Sequence, residues 1–194
     1  MTGRRSLQIA MGVVLLGLAA WGVTRGLERL VAPQPPPSQP AAAATTPAEV
    51  AHITATLFYA SEDGQALVPV RREVPLAEGV IPQGRQILAS QLEPAPSPYV
   101  SAIPSGTLLR AFYVTEQGDA FVDLSADVAT HHPGGSFTEM LTVHAIVNAV
   151  TANLPTIRRV QILIEGQEAD TLAGHVDLRR PLIRDVTLVR EPET

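Results

Sequence analysis

The 194-residue sequence has no cysteine. That absence excludes disulfides, thiolate metal sites, a cysteine nucleophile and a lipid-modified N-terminal cysteine. Lysine is missing as well, since all 14 basic residues are arginine, and no Walker-type phosphate-binding lysine exists. With abundant Ala and Pro, this all-arginine usage marks a GC-rich genome. Aromatic residues make up only 4% of the chain, so few rings are available for stacking on sugars. Positive charge is scarce outside the N-terminus. Residues 1–32 carry a net +3 and the remainder a net −8, within a total of −5. An acidic domain repels polyphosphate, which argues against nucleic acid as a partner.

The first organised feature is Leu7–Val23, LQIAMGVVLLGLAAWGV, an apolar run preceded by Arg4 and Arg5. Extended toward Leu27 it is long enough to span a bilayer, and the flanking arginines favour a cytoplasmic N-terminus with the rest exported. Residues 1–31 therefore read as a single-pass membrane anchor. The competing reading is a cleavable signal peptide with Gly17-Leu18-Ala19 as its small-residue site; Trp21 and the helical continuation to Val31 favour the anchor. Ala32–Pro47, APQPPPSQPAAAATTP, is uncharged and rich in Pro and Ala. Residues 32–51 form a semi-extended linker, residues 52–185 the folded domain, and residues 186–194 a tail, charged at its end, that either adds an edge strand at Val186–Val189 or stays loose.

Within the domain, His52–Tyr59 and Leu67–Val74 flank Asp63-Gly64, a hairpin signal, and Pro69 confines the second strand to an edge or a bulge. Pro82–Leu92 has helical spacing. Leu108–Thr115 and Ala120–Leu124 flank Gln117-Gly118-Asp119 as a second hairpin. From Ser136 onward, Met140, Val143, Ile146, Val147, Val150 and Leu154 recur at helical intervals, until Pro155 ends the pattern and Val160–Ile164 follows as a strand. Ser136 with Glu139 three residues later reads as a capping box. This order of elements predicts an α+β fold: a two-layer sandwich of one small mixed sheet with two helices on one face.

The run from Gly134 to Pro181, GGSFTEMLTVHAIVNAVTANLPTIRRVQILIEGQEADTLAGHVDLRRP, resembles the C-terminal half of the GerMN domain family. Leu57–Val74 and Ile103–Ser125 resemble its opening and central hairpins, so that residues 52 to 183 are covered. The match is carried by Arg72, Pro104 and Gly106, Asp123-Leu124-Ser125, Gly134, Glu139, Val147-Asn148, Gly166 and Gly174-His175-Val176-Asp177. The resemblance implies a fold similar to the ring-building motifs of secretion and sporulation channels, and a setting in the cell envelope. It implies no reaction.

No catalytic, metal or cofactor-binding constellation stands out. His131-His132 precede Pro133-Gly134-Gly135 with no further metal ligand nearby. His144 reads as a satisfied boundary histidine, and His175 as a turn residue whose ring bonds backbone, with Asp177 its potential carboxylate partner. Asp123 and Ser125 read as bonding loop backbone. The face of the long helix opposite its core stripe presents Leu141, Ala145, Ala149 and Ala152 with almost no charge, an expected contact surface for a partner. The expected role is a membrane-anchored, extracytoplasmic, non-enzymatic module that binds an envelope protein or itself, linked to sporulation, germination or cell-wall complexes. A glycan- or small-ligand-binding module is the alternative. A hydrolase would require His175, Asp177 or Glu139 to converge in one cleft.

Overall fold

The computed structural model describes residues 51–191. The expected anchor and nearly all of the linker lie outside them. His52–Ala60 (β1) and Leu67–Pro75 (β2) pair antiparallel from His52↔Pro75 to Ala60↔Leu67. Gly64 turns the hairpin at φ 66°, a conformation that costs a glycine little. Phe58 directs its N–H away from β2, so Pro69 opposite it points its ring nitrogen away from β1. The proline therefore sits where no ladder bond is lost.

The outward edge of β1 is completed by side chains. The Thr56 N–H donates to Asn153 Oδ1 at 2.8 Å while Asn153 Nδ2 donates to the Thr56 carbonyl at 2.7 Å. Gln91 makes the same pair of bonds with Phe58, at 2.9 and 2.7 Å. Ala60 exchanges two main-chain bonds with Val100, at 2.8 and 3.0 Å. Buried main-chain groups need partners, and three consecutive outward positions of β1 find theirs without another full strand.

Val80–Leu92 forms helix α1, followed by Leu109–Val114 (β3), Asp119–Leu124 (β4), a short helix Asp127–Thr130 (α2), the long helix Ser136–Asn153 (α3), Arg159–Ile164 (β5) and Gln167–Glu168 (β6). The four later strands make a sheet in the order β3-β4-β5-β6, with β4 and β5 parallel and the other pairs antiparallel. Parallel neighbours require a crossover, and the segment containing α3 is that crossover. Ala120, Val122 and Leu124 of β4 and Val160 and Ile162 of β5 are buried in the core.

The fold is α+β as expected, but the single sheet with helices on one face is corrected. There are two sheets, and α1 and α3 contact both the hairpin and the four-stranded sheet. The physical reason lies in the β1 edge: Gln91 and Asn153 satisfy it, so the hairpin need not join the larger sheet. With neighbours on several sides, α3 is buried almost all round, which its uniformly apolar sequence fits.

The C-terminal segment straps these parts together. Leu182 pairs with Val160 of β5, Asn148 of α3 bonds both main-chain groups of Asp185 (2.7 and 3.1 Å), and Val189 bridges Leu67 of β2. The edge strand expected at Val186–Val189 is thus a single parallel bridge; Pro69, the next outward residue of β2, has no N–H to extend it. No helix among the described residues is long and apolar enough to cross a membrane.

Gly84 marks the closest approach of α1 to β3: a Cβ there would lie 2.2 Å from the Phe112 ring. Gly84→Ala, which improves helix propensity, is expected nevertheless to destabilise the domain by about 1–3 kcal/mol through overpacking, measured as a lower urea midpoint. An unchanged or raised midpoint would contradict this packing.

Candidate functional site

The polar centre of the domain is Glu139. Its side chain is fully buried, and it lies in the first turn of α3, where the helix dipole favours a carboxylate. The turn at residues 172–175 wraps around it. Oε1 accepts the N–H groups of Leu172 (2.8 Å) and Ala173 (2.9 Å), and Oε2 accepts that of His175 (2.9 Å), with His175 Nδ1 a further 3.1 Å contact. Gly174, at φ 99°, lets successive amides converge on one point, forming a main-chain nest for an anion. Burial alone pushes the Glu139 pKa upward and is the largest single influence on it. The amides of Ala173, Val176, Leu172 and His175 together outweigh it and hold the carboxyl below its ordinary value.

This geometry corrects the capping box. Gly135 is the N-cap of α3, at φ 89°, and no side chain caps the helix. Ser136 is already helical, so its hydroxyl is not placed as a cap, and Glu139 turns toward the C-terminal loop. His175 is corrected too, since its ring meets a carboxylate and not backbone. Asp177 is not its partner. It pairs with Arg179, accepting from Nε (2.9 Å) and Nη2 (2.8 Å). Glu139 and His175 therefore converge while Asp177 does not.

Asp123, Ser125 and His132 bind main chain as well, whereas Arg72 and His131 meet side chains. Asp123 Oδ1 accepts the Gly166 N–H at 2.7 Å, with Gly166 at φ 76°, while Oδ2 faces Arg110 at 3.3 Å. Arg110 also reaches Glu165 at 2.7 Å. Ser125 Oγ accepts the Leu108 N–H at 3.0 Å and donates to Asp127 at 2.8 Å. Arg72 bridges the Tyr59 hydroxyl (2.9 Å) and Glu93 (3.0 Å). His132 Nδ1 accepts from the Gly134 N–H at 3.0 Å, and its Nε2 lies 3.2 Å from the Thr142 hydroxyl; His131 lies 3.4 Å from Asp127. Among the described residues no three His, Cys, Asp or Glu side chains gather as a metal site.

Two further expectations are overturned. His144 is not satisfied: its buried Nδ1 has no hydrogen-bond partner. Burial lowers its pKa, partly opposed by the nearby Asp185. The supposedly open helix face is also covered, with Leu141 3% exposed, Ala145 and Ala149 0%, and Ala152 half-buried. Small side chains there allow close packing inside the domain. The amide latches of Gln91 and Asn153, and of Gln83 to Ala77 N–H (2.8 Å) and the Pro75 carbonyl (3.2 Å), were not anticipated. Amides placed within otherwise apolar helix stretches are the signal that points to them.

The domain thus combines two unequal sheets, a buried crossover helix and a carboxylate-filled turn. The chain belongs to the Germane family, described as "Sporulation and spore germination", which residues 56–170 match. Solved structures share the fold. A candidate lipoprotein from Clostridium perfringens is 21% identical, with 68% of this chain and 87% of that chain aligned and a TM-score of 0.50. The first GerMN domain of the sporulation protein GerM from Bacillus subtilis is 16% identical over 68% of this chain and 98% of that one, at a TM-score of 0.50. The tandem GerMN domains of the same protein align at 16% identity over 66% of this chain and 44% of theirs, at 0.51. No curated protein matches the chain.

Three outcomes follow for stability. Glu139→Gln puts an NH₂ group against N–H donors and is expected to cost about 1–3 kcal/mol; a silent substitution would contradict the nest. Ala145→Glu is expected to unfold the domain, because a buried carboxylate without partners loses its hydration uncompensated, and circular dichroism reports it. Acidification should act in two stages. The folded pKa of His144 is depressed, so the unfolded chain binds the proton first and stability falls as pH drops below about 6.5. The Glu139 contribution is complete above about pH 4.3 and is lost as pH falls through its lower folded pKa. His144→Leu should remove the upper stage in pH-dependent urea unfolding and leave the lower one.

Proposed function

We propose that this chain is a membrane-anchored, extracytoplasmic GerMN-domain protein that acts by contact, with another envelope protein or with a second copy, and without catalysis. In this reading residues 1–31 anchor the chain, 32–51 act as a spacer, 52–185 form the contact domain and 186–194 its tail. The Arg4/Arg5 flank of Leu7–Val23 supports an N-terminus inside and a domain outside. The candidate lipoprotein among the similar structures is in keeping with a membrane setting. With no cysteine to carry lipid, the apolar run takes over that attachment. The family description links such domains to sporulation and germination, and the role proposed here is assembly within that envelope machinery.

The observation that carries the reading is how the polar residues of the family match are used. Glu139, Asp123, Ser125 and Asn148 each bind main-chain groups of the domain itself. A carboxylate that already accepts several N–H bonds is a poor base. Contact falls instead to the surface. Leu108, just before β3, and Tyr113, within it, are 64% and 58% exposed, and Tyr113 lies opposite Phe121 on β4. Exposed side chains of this size and character are available to a partner, and we assign the contact to the β3 edge in place of the Ala145 face.

Two experiments test the reading. A photo-crosslinking amino acid at Tyr113 should give discrete adducts in intact membranes, and the same label at exposed Arg85 on α1 should not. Equal or absent adducts at the two positions would overturn the contact surface. Alkaline extraction should leave the whole chain in the membrane pellet, whereas a released species beginning near Ala20 would contradict the anchor.

A further inference from the structure

Two cavities meet at Tyr99. One, of about 450 Å³, lies by the β1–β2 turn, and the other, of about 440 Å³, lies over β2; Tyr99 and Glu191 are in the walls of both. The tyrosine's main chain is held in place, and its half-buried side chain packs in part against the core. Its N–H donates to the Pro96 carbonyl at 2.9 Å, and its neighbour Val100 is paired with Ala60 of β1. On the first side Val68 and Pro98 supply apolar wall, with Ser61 and Asp63 at the rim. On the second, Pro69 and Val70 supply it, with Arg71 and Thr56 beside them.

The polar groups are set as well. Asp63 accepts from the Ser61 hydroxyl (2.5 Å), the Gln65 N–H (3.0 Å) and Arg190 (3.2 Å). These bonds, the Ser61 hydroxyl foremost, hold its pKa at about 2, so it is an ionised acceptor at neutral pH. Across both cavities two arginines face three carboxylates, a near balance that selects against a highly charged ligand. A peptide adding as a strand is disfavoured: the outward groups of Leu67 already bond Leu188 and Arg190, and Pro69 has no N–H.

A ring edged by apolar wall on both sides, with hydrogen-bonding side chains of either sign around it, matches a ligand with apolar faces and many hydroxyls. We infer that the paired cavities around Tyr99 form a binding site for a neutral carbohydrate chain, one sugar packing on the tyrosine ring and the hydroxyls of its neighbours bonding the rim. The site goes beyond the contact role above and stands independently of it.

The test uses the full chain in phosphatidylcholine nanodiscs, titrated with a β-1,4-linked N-acetylglucosamine tetramer and followed by saturation-transfer NMR and calorimetry. Saturable binding is expected. Tyr99→Phe should retain it, and Tyr99→Ala should weaken it about tenfold or more. Arg71→Ala, at an exposed rim position, gives a second variant if Tyr99→Ala fails to fold, and should weaken binding in the same direction. The inference is overturned if the tetramer does not bind saturably, if binding is unchanged in folded Tyr99→Ala or Arg71→Ala protein, or if a proline-rich peptide occupies the cavities and the sugar does not.

Discussion

A carboxylate taken wholly out of water is the constraint on which this domain turns. Left unpaired, the Glu139 charge would be prohibitively costly; the turn at residues 172–175 makes it tolerable by aiming main-chain N–H groups at both oxygens. The helix and the turn therefore depend on each other. Without the turn, α3 carries a buried charge it cannot solvate, and without Glu139 the converging amides have no acceptor. A link between residues more than thirty positions apart ties the crossover helix to a stretch with little regular structure of its own.

The same economy recurs in the amides. Gln83, Gln91, Asn148 and Asn153 each offer an oxygen and an NH₂ group to main chain, as a neighbouring strand would. Two of these pairs complete the outward edge of β1, which is why a hairpin can pack on helices without joining the larger sheet. Another pins the C-terminal strap to α3. Deleting one such side chain leaves two main-chain groups unpaired, and the loss is greatest for Gln91, whose partners on Phe58 are fully buried.

Much of the secondary structure was legible. The long helix ends where Pro155 forbids its continuation, the hairpin turns at Asp63-Gly64, and β5 follows as a short apolar run; these are local signals. What pairs with what was not legible, because the edge of β1 is satisfied by side chains from two distant helices. The Ser136–Glu139 spacing suited a capping box, but Gly134 and Gly135, at φ 86° and 89°, carry the chain into the helix so that Ser136 falls inside it. The row Leu141, Ala145, Ala149 and Ala152 suggested an open face for lack of charge, whereas small apolar residues serve equally well where neighbours pack closely. Of the candidate site, Glu139 and His175 were recognisable one at a time. Their meeting was not, since it depends on how the loop after β6 returns to the first turn of α3.

A domain whose buried polar residues hold its own main chain together leaves its surface for other molecules, which is the physical basis for proposing a contact role. The nest is the contact on which the fold depends most directly, and native-state hydrogen exchange at the amides of Leu172, Ala173 and His175 reads it without mutation. If the carboxylate holds the turn as described, these amides exchange only through the opening that also exposes α3, at a comparable free energy. Exchange near the unprotected rate, while α3 stays protected, would contradict it.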